Sequence, residues 1–576
     1  MKKVLILFSL CLLAASEYTP GDSGGPWTIE ELLIVRAKLW SLMIDHRAAS
    51  NYKNISFNAR PMADELDEKW INLGLQFFPA KLLRLGFHDC LKYVDESGGC
   101  DGCLNWEGMN TRFPSDQKSI KFKYNYNDIK KGNNNGLEYT VALLEMIYTD
   151  KDFPKDNAPS LPESLKASGK SRADLWAYAS KVAIEYSVER NNFHCEGKPK
   201  GDTWSGSTIG NSDDCQRLLD DDPNDPTIIG RCKLILNKEI NFKYGRRDCI
   251  PANLATPYKA SKTETHPNPE GNGDDTLDFF KSEFNFSGQE VVAIMGAHTL
   301  GKMTMEHSLY KYSWTSRGGH MFNNVYYRNI VRKEDWFIEA EDNNSCDRIG
   351  DANGAKPDIK WVPTMNGFTK SGGPMHWIRT HYSCPNCIHR WTKNQHLNKV
   401  WEECCETKPD NKSCLPDYKN HPDKVEDING CEKYRFATNL DDMTINAEMG
   451  LYLKFDQVNG IPVVGEDGSC SGLKKFNMKV WKKNTKNGTI RDKYRRAWDH
   501  GCDLNMRREP ESDEPVSSYF ETYAGNQTRW VEDFIPAFEK MSINGYENSE
   551  LHDAPSSWEN VFCRRTITKK IECSKS

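Results

Sequence analysis

The stretch 82–103, LLRLGFHDCLKYVDESGGCDGC, most constrains how this chain can fold. It begins with apolar residues that favour a helix, and Arg84 and His88 lie four positions apart within it. Side chains at that spacing share one helix face, one turn apart. A permanent cation would then lie beside a group that exchanges a proton near neutral pH. The pair suits proton-transfer chemistry, although an isolated RxxxH pattern more often marks a core histidine beside a surface arginine.

A second histidine, His298, follows a predicted helix whose central residues, VVAIM, are all apolar. Ser287 and Glu290 form a capping-box pattern, and the segment 290–297 predicts a helix that is buried on all sides. The glycine-bounded turn GAHTLG would present the histidine ring into a cavity. One such histidine is more often a core residue than a ligand. Two of them at the ends of apolar helices, one beside an arginine, suggest the two sides of a haem.

The first residues have the pattern of a secretory signal peptide, which we place at 1–16. Lys2 and Lys3 precede the apolar run 4–13, and small residues follow it. The run is too short to span a bilayer, so we expect a secreted, extracellular protein without a membrane partner. The net charge of −6, from 76 basic and 82 acidic residues, offers no electrostatic reason to expect nucleic acid either.

Nineteen cysteines are present, and eighteen remain if Cys11 leaves with the signal peptide. In an exported chain this even number indicates disulfides, whose pairing the sequence does not give. The CPNC segment at 384–387, with His389 nearby, resembles a zinc cluster, but export favours disulfides there too. Six Asn-x-Ser/Thr sequons predict glycosylation at the surface. They begin at Asn54, Asn285, Asn343, Asn411, Asn487 and Asn526.

Helical periodicity dominates the chain, and alternating strand patterns are few and short. The periodicity predicts helices at about 27–50, 62–86, 137–148, 171–189, 276–284, 290–297 and 530–541. We therefore predict a mainly α protein with long, disulfide-rich loops. After the signal peptide we expect a single domain at 17–560 and a C-terminal tail at 561–576. Polar insertions into the domain are expected at about 191–230, 341–433 and 460–510.

Six motifs, in order, resemble those of the plant, fungal and bacterial haem peroxidase superfamily. They are RLGFHDC at 84–90, NNNGL at 133–137, SRADLWAYA at 171–179, YGRRDC at 244–249, EVVAIMGAHTLG at 290–301 and the region 520–541. The resemblance covers most of 80–330 and 440–545. It implies two helical halves that sandwich haem b. It also implies an enzyme that reduces hydrogen peroxide to water and oxidises a small or phenolic electron donor one electron at a time.

The resemblance implies roles for both histidines and their neighbours. His298 would be the axial ligand of the haem iron. His88 would act as acid and base on the opposite, distal face, with Arg84 as its cationic partner. Asn134 would accept the proton of the His88 ring and thereby fix its tautomer. Phe87 matches the secreted branches of the family, which have phenylalanine beside the distal histidine.

On the proximal side the chain resembles the intracellular branch, typified by ascorbate and cytochrome c peroxidases. Trp314 follows His298 by sixteen residues, at the position where that branch stacks a tryptophan beneath the haem. There it would hold an oxidising equivalent or relay electrons. An ordinary core aromatic is the alternative. Glu448 takes the place of the aspartate that pairs with the axial histidine, and Asp441 or Asp442 is the fallback.

The resemblance further implies one cation site on the distal side of the haem and one on the proximal side. The distal ligands, for calcium, would be Asp89, the Gly99 carbonyl and Asp101. The proximal ligands, for calcium or potassium, would be Thr299, Thr315 and Asn323. Both sites depart from the family. Cys103, a candidate for a disulfide, replaces a serine hydroxyl, and Asn323 replaces an aspartate.

The reducing substrate and the oligomeric state are not indicated by the sequence. His307 replaces the arginine that holds ascorbate in some members, which argues against that donor. Because the chain is expected to be exported, phenolic or tyrosine groups of an extracellular matrix are the expected electron donors. The expected biological role is a response to oxidative stress. The alternatives are a catalytically silent extracellular matrix or binding protein on the same scaffold, and a zinc-stabilised binding module that rests on the CPNC segment alone.

Overall fold

The structure of the chain is a computed structural model. It describes residues 19–44, 56–57, 60–61, 78–104, 134, 136–155, 157–195, 239–249, 265–269, 271–303, 314–315, 322–331, 336–340, 375–379, 389–390, 399–400, 442–453, 456–458, 461–463, 495–496, 516–547, 549–556, 561–565 and 571–575. The expected signal peptide and most residues of the expected insertions lie outside these ranges. Within them, no helix combines the length and apolar character that crossing a bilayer requires.

Helices dominate the described residues, which confirms the mainly α prediction. In chain order they are α1 Ile29–Ile44, α2 Phe78–Asp89, α3 Glu138–Thr149, α4 Arg172–Cys195, α5 Gly273–Phe284, α6 Gly288–Met295, α7 Val325–Ile330, α8 Asn446–Tyr452, α9 Val516–Gly525 and α10 Gln527–Met541. A 3₁₀ turn, Gly296–Thr299, continues α6. The predicted capping box is present at α6, where Ser287 and Glu290 each accept a hydrogen bond from the other's backbone N–H.

Short antiparallel strands connect the helices. They are β1 Ser56–Phe57, β2 Arg60–Pro61, β3 Lys243–Tyr244, β4 Trp336–Ala340, β5 Met375–Arg379, β6 His389–Arg390, β7 Lys399–Val400, β8 Asp442–Thr444, β9 Asp456–Val458, β10 Ile461–Val463, β11 Arg495–Arg496, β12 His552–Asp553, β13 Val561–Arg565 and β14 Ile571–Lys575. Four of them form a sheet in the order β11-β4-β5-β8. Strands β5 and β11 belong to segments that the sequence suggested were insertions, yet β5 pairs with β8, which leads directly into α8.

Two hydrophobic cores make up the described protein, and α2 contributes to both. Leu82 and Leu85 belong to the core that contains α1, α3 and α4. Leu83 belongs to the core that contains α5 to α10. The apolar residues of α2 therefore point in two directions, which places its remaining face, with Arg84 and His88, along the boundary between the two cores.

The crossing of α2 and α4 is close enough to require a glycine. A Cβ atom at Gly86 would lie 2.6 Å from the Cβ and Oγ atoms of Ser180 in α4. Real Cβ atoms do not approach so closely, so a larger residue would force the helices apart. This contact fixes how closely α2 packs on α4 and thereby the positions of Arg84 and His88 on α2.

Two of the recognised motifs hold each other in place by buried ion pairs. Arg172 pairs with Asp248 at 3.1 Å, and Arg246 pairs with Asp174 at 3.0 Å. The Asp248 carboxylate also accepts the backbone N–H groups of Arg172 and Ala173, at the first turn of α4. Carboxylates at a helix N-terminus are stabilised by its unpaired N–H groups. The SRAD and GRRD motifs therefore anchor α4, against which α2 packs.

Disulfides close the loop that follows α2. Cys90 is bonded to Cys100, and Cys103 is bonded to Cys249. These two pairs agree with the expectation of disulfides, whose partners only the structure identifies.

The segment that we set apart as a C-terminal tail contains a β-hairpin. Strands β13 and β14 pair in antiparallel register, with Cys563 opposite Cys573. Cys573 is disulfide-bonded and packs against the core that contains α1. The hairpin is therefore attached to the body of the protein.

Candidate functional site

Arg84 and His88 lie on one face of α2, as their spacing predicts. The Nε atom of Arg84 donates to Nε2 of His88 at 3.3 Å. On the other side of the ring, His88 Nδ1 lies 2.8 Å from Oδ1 of Asn134. Because a carbonyl oxygen only accepts, Nδ1 carries the proton and Nε2 is the free base. The structure thus brings together the three residues that the sequence assigned to the distal side.

The environment of His88 favours its neutral form. Burial, the Arg84 cation and His266 lower the pKa of His88 well below its ordinary value of 6.5, in that order of importance. The hydrogen bond that His88 donates to Asn134 acts in the opposite direction and raises this pKa. Desolvation and a neighbouring positive charge both penalise the imidazolium ion. At neutral pH the Nε2 lone pair is therefore available to take a proton.

His266 is a distal neighbour that the sequence did not single out. Burial and Arg84 lower its pKa from 6.5 to about 4. The residue before it, Thr265, is held by the backbone of Lys92 at 2.9 Å and by the carboxylate of Glu283 at 2.7 Å. No helical or strand pattern surrounds His266 in the sequence, so only the fold brings this imidazole near enough to Arg84 for the charge to lower its pKa.

On the proximal side His298 is paired with Glu448. The Nδ1 atom of His298 lies 2.5 Å from Oε1 of Glu448. That oxygen also accepts from the hydroxyl of Tyr326, at 3.0 Å. The second oxygen accepts from the hydroxyl of Thr444 at 2.8 Å and from the backbone N–H of Ile445 at 3.1 Å. Four donors therefore hold the Glu448 carboxylate and orient the His298 ring so that Nε2 faces away from it.

Trp314 stacks on the His298 ring. Their ring centroids are 4.1 Å apart and their planes differ by 9°. The Trp314 residue is 8% exposed, so the tryptophan side of the stack is buried. The spacing of sixteen residues therefore corresponds to direct contact with the proximal histidine.

The two histidines belong to neighbouring parts of one core. Phe87, beside His88, and Ala297, beside His298, pack against the same hydrophobic cluster. A Cβ atom at Gly301 would lie 3.2 Å from the Cβ atom of Ala80, at the start of α2. The turn that follows α6 therefore contacts the helix that carries the distal residues.

The exposed faces of these residues suit a flat, largely apolar group bound through a nitrogen. Phe87 and His88 are partly exposed between the buried residues Gly86 and Asp89, and the His298 side chain is 34% exposed although residues 291–296 before it are buried. Phe87 itself is held in place by the rings of Phe280 and Phe284. An imidazole nitrogen surrounded by aromatic and aliphatic side chains is the donor set of a haem iron.

The distal loop brings two acidic side chains together. The backbone N–H of Cys103 donates to both Asp89 and Asp101, at 3.2 and 3.1 Å. Burial and the Asp101 charge raise the pKa of Asp89 well above its ordinary value. Two crowded carboxylates, one of them 2% exposed, fit a hard cation such as calcium. The Cys103 sulfur, bonded to Cys249, is not available as a thiolate ligand.

The backbone conformation of this loop requires glycine at position 99. Its φ of +108° lies in the left-handed region, and a Cβ atom there would meet the carbonyl oxygen of Asn544 at 2.4 Å. Only glycine combines this conformation with so close an approach. Asn544 follows α10, so the distal loop is docked against the segment after that helix.

The three proximal residues predicted to bind a cation are joined by hydrogen bonds. Asn323 Oδ1 accepts from the Thr299 hydroxyl at 3.1 Å, and its Nδ2 donates to Asn191 at 3.0 Å. The Thr315 hydroxyl donates to the Thr299 carbonyl at 2.9 Å. These described side chains carry no charge, and the amide of Asn323 points a donor into the network. They do not fit a divalent cation.

Residues 64–345 match the protein-family model described as Peroxidase. That span contains both histidines, Arg84, Asn134 and Trp314, and it ends before Glu448. A stretch of 76 residues is 36% identical to the mitochondrial cytochrome c peroxidase of Candida glabrata. The stretch amounts to 13% of this chain and covers 20% of that relative, so the similarity spans about a fifth of the relative's length.

Proposed function

Because the chain belongs to the haem peroxidase superfamily, we propose that it is an enzyme that reduces hydrogen peroxide to water with electrons from a separate donor. One observation carries the proposal: a neutral His88 is oriented by Asn134 and paired with Arg84, His298 is oriented by Glu448, and the neighbours of the two histidines, Phe87 and Ala297, pack on one hydrophobic cluster. A core histidine does not need this set of partners.

His298 Nε2 would hold the haem, with Phe87 and Trp314 beside it. Bound there, haem b would supply the iron that binds peroxide and accepts electrons. Glu448 accepts the Nδ1 proton of His298 and so makes Nε2 a more basic ligand. Glutamate is one methylene longer than the family aspartate, and the bonds from Tyr326 and Thr444 hold the longer side chain in position.

The distal residues move the proton. Nε2 of His88 takes a proton from one peroxide oxygen and returns it to the other, which departs as water. In the present arrangement Arg84 Nε–H donates to that same nitrogen, so peroxide has to displace the guanidinium contact before the transfer. The Arg84 cation then lies beside the oxygen on which negative charge develops and stabilises it.

The donor and the location belong to the same proposal. We infer that the enzyme acts outside the cell on small or phenolic donors, with a distal calcium ion held by Asp89, Asp101 and the Gly99 carbonyl. The N-terminal pattern and the disulfides Cys90–Cys100 and Cys103–Cys249 support export.

An absorption spectrum of the purified protein before and after peroxide, followed by turnover of a small phenol, tests the function. We expect a haem spectrum that peroxide alters and a donor restores. The variant His88→Ala should bind haem but react with peroxide at least about 10²-fold more slowly, the usual contribution of a positioned acid and base. A haem-containing protein that does not consume peroxide would be the silent scaffold, and a protein that contains zinc in place of haem would be the binding module.

A further inference from the structure

We propose that four contacting tyrosines carry oxidising equivalents from the proximal pocket to the protein surface, where phenolic groups of bulky donors are oxidised. The tyrosine chain consists of Tyr326, Tyr327, Tyr523 and Tyr519. This inference rests on the proposed peroxidase function and assigns it a second oxidation site and a class of donor.

The inner end of the tyrosine chain touches the pair that orients the axial ligand. The Tyr326 hydroxyl donates to Oε1 of Glu448, the same oxygen that accepts from His298. Its ring centroid lies 6.2 Å from that of His298. A phenol loses an electron at a moderate potential only when its proton can leave at the same time. Tyr326 is 2% exposed, and the Glu448 carboxylate is the acceptor in place for that proton.

Tyr327 bridges the inner and outer parts of the tyrosine chain. Its ring centroid lies 5.1 Å from that of Tyr326 and 5.2 Å from that of Tyr523. Its hydroxyl donates to the backbone carbonyl of Val292 at 2.6 Å. A peptide carbonyl is a poor proton acceptor, so Tyr327 couples the two neighbouring rings electronically and does not itself retain the radical.

The outer end has its own proton acceptor and reaches solvent. The Tyr523 hydroxyl donates to the Asp533 carboxylate at 2.8 Å. Asp533 is also paired with Arg529, whose side chain is 48% exposed. The ring of Tyr523 stacks on that of Tyr519, with centroids 6.1 Å apart, and Tyr519 is partly exposed. Tyr519 is therefore the member that a donor in solution can contact.

The transfer balances in electrons and protons. One electron leaves Tyr523 inward for the oxidised site, and its hydroxyl proton passes to Asp533, which leaves a neutral tyrosyl radical. A phenol in contact with Tyr519 supplies one electron through the Tyr519 ring and releases its own proton to water, while Asp533 returns the proton to Tyr523. Two phenols supply the two electrons that one peroxide molecule takes.

The tyrosine chain gives bulky donors a contact site of their own. A small phenol can approach the partly exposed faces of Phe87 and His88 directly. A phenol attached to a polymer or to another protein needs a group at the protein surface, and Tyr519, partly exposed on α9, is such a group. The substrate class of the tyrosine chain is therefore the phenolic group of a macromolecule.

Turnover of two donors tests the proposal in the haem-containing full chain. One donor is a free small phenol, and the other is the same phenol coupled to a soluble dextran of high mass. In Tyr519→Phe and Tyr523→Phe we expect the ratio of polymer to small-phenol kcat/KM to fall about tenfold or more. The matched control is Tyr244→Phe, a partly exposed tyrosine of β3 that packs on His552. It should leave the ratio unchanged.

Radical detection gives a second readout that does not depend on turnover. After peroxide addition without donor, wild-type protein should show a tyrosyl signal in electron paramagnetic resonance, and Tyr523→Phe should lose most of it. Dityrosine cross-links between copies should map to Tyr519 by mass spectrometry. If the small phenol is turned over but neither the ratio nor the radical depends on Tyr519 or Tyr523, the tyrosine chain is overturned and the proposed function stands. If wild-type protein oxidises no phenol, both are overturned.

Discussion

Glu448 and His298 are joined by a 2.5 Å contact across 150 positions of the chain. The carboxylate sits on α8, directly after strand β8, and the imidazole sits in the turn after α6. Strand β8 pairs with β5, so a segment that the sequence marked as an insertion helps to position the partner of the proximal histidine.

Replacing Glu448 by glutamine should weaken both the fold and the electron donation by His298. A glutamine offers an N–H₂ group where the carboxylate accepts hydrogen bonds, so at least one of its buried donors loses its partner, at a cost of about 1–3 kcal/mol. Denaturant unfolding of the variant should show this loss. The reduction potential of the bound iron should rise, because the imidazole becomes a poorer donor. Glu521→Gln, which alters a carboxylate bonded to Tyr452, is the control and should leave the potential unchanged.

Burial of His88, reinforced by the Arg84 cation, should set the lower pH limit of the peroxide reaction. Since the His88 pKa is held well below 6.5, the base stays neutral and active until the pH falls through that lowered value. Arg84→Leu removes a charge that opposes the imidazolium ion, so the pKa rises and the acid limb of the rate profile shifts toward 6.5. Stopped-flow rates from low to neutral pH measure the shift. Arg247→Leu, at an exposed arginine outside the site, should not move the limb; an unmoved limb in Arg84→Leu would contradict the assignment.

Chelation should destabilise the distal loop. Two crowded carboxylates, Asp89 and Asp101, repel each other unless a cation lies between them. Calcium at a hundred times its dissociation constant would add about 2.7 kcal/mol of stability, which a chelator removes. The melting temperature should therefore fall with chelator in the wild type and respond much less in Asp89→Asn. An equal response in both proteins would exclude Asp89 as a ligand.

A single substitution should convert the neutral proximal network into a cation site. Asn323→Asp places a carboxylate beside Thr299, Thr315 and Asn191, where a buried charge without a partner is destabilising by several kcal/mol. Added potassium or calcium should restore stability in this variant by more than it stabilises the wild type. Melting temperatures in potassium, calcium and choline chloride give the comparison. Equal cation responses in the variant and the wild type would show that this network cannot be made to bind an ion.

The local features of the site were readable from the sequence. The spacing of Arg84 and His88 predicted their shared helix face, and the Ser287–Glu290 pattern predicted the start of the helix that ends near His298. These features depend on residues within one or two helical turns, where periodicity and capping act directly. Six motifs in the order found in known peroxidases predicted a haem site between the two histidines. The family match over residues 64–345 supports that prediction.

Tertiary structure decided the contacts between distant segments. It paired Glu448 with His298, brought His266 near enough to Arg84 for that charge to lower its pKa, and added Tyr326 and Asn191 to networks that the sequence did not suggest. It also chose the partners of Cys90 and Cys103. Such contacts follow from how two cores pack around α2, and no local pattern encodes which of many distant side chains will arrive at one point. The sequence determined which groups could do the chemistry, and the packing decided which of them meet.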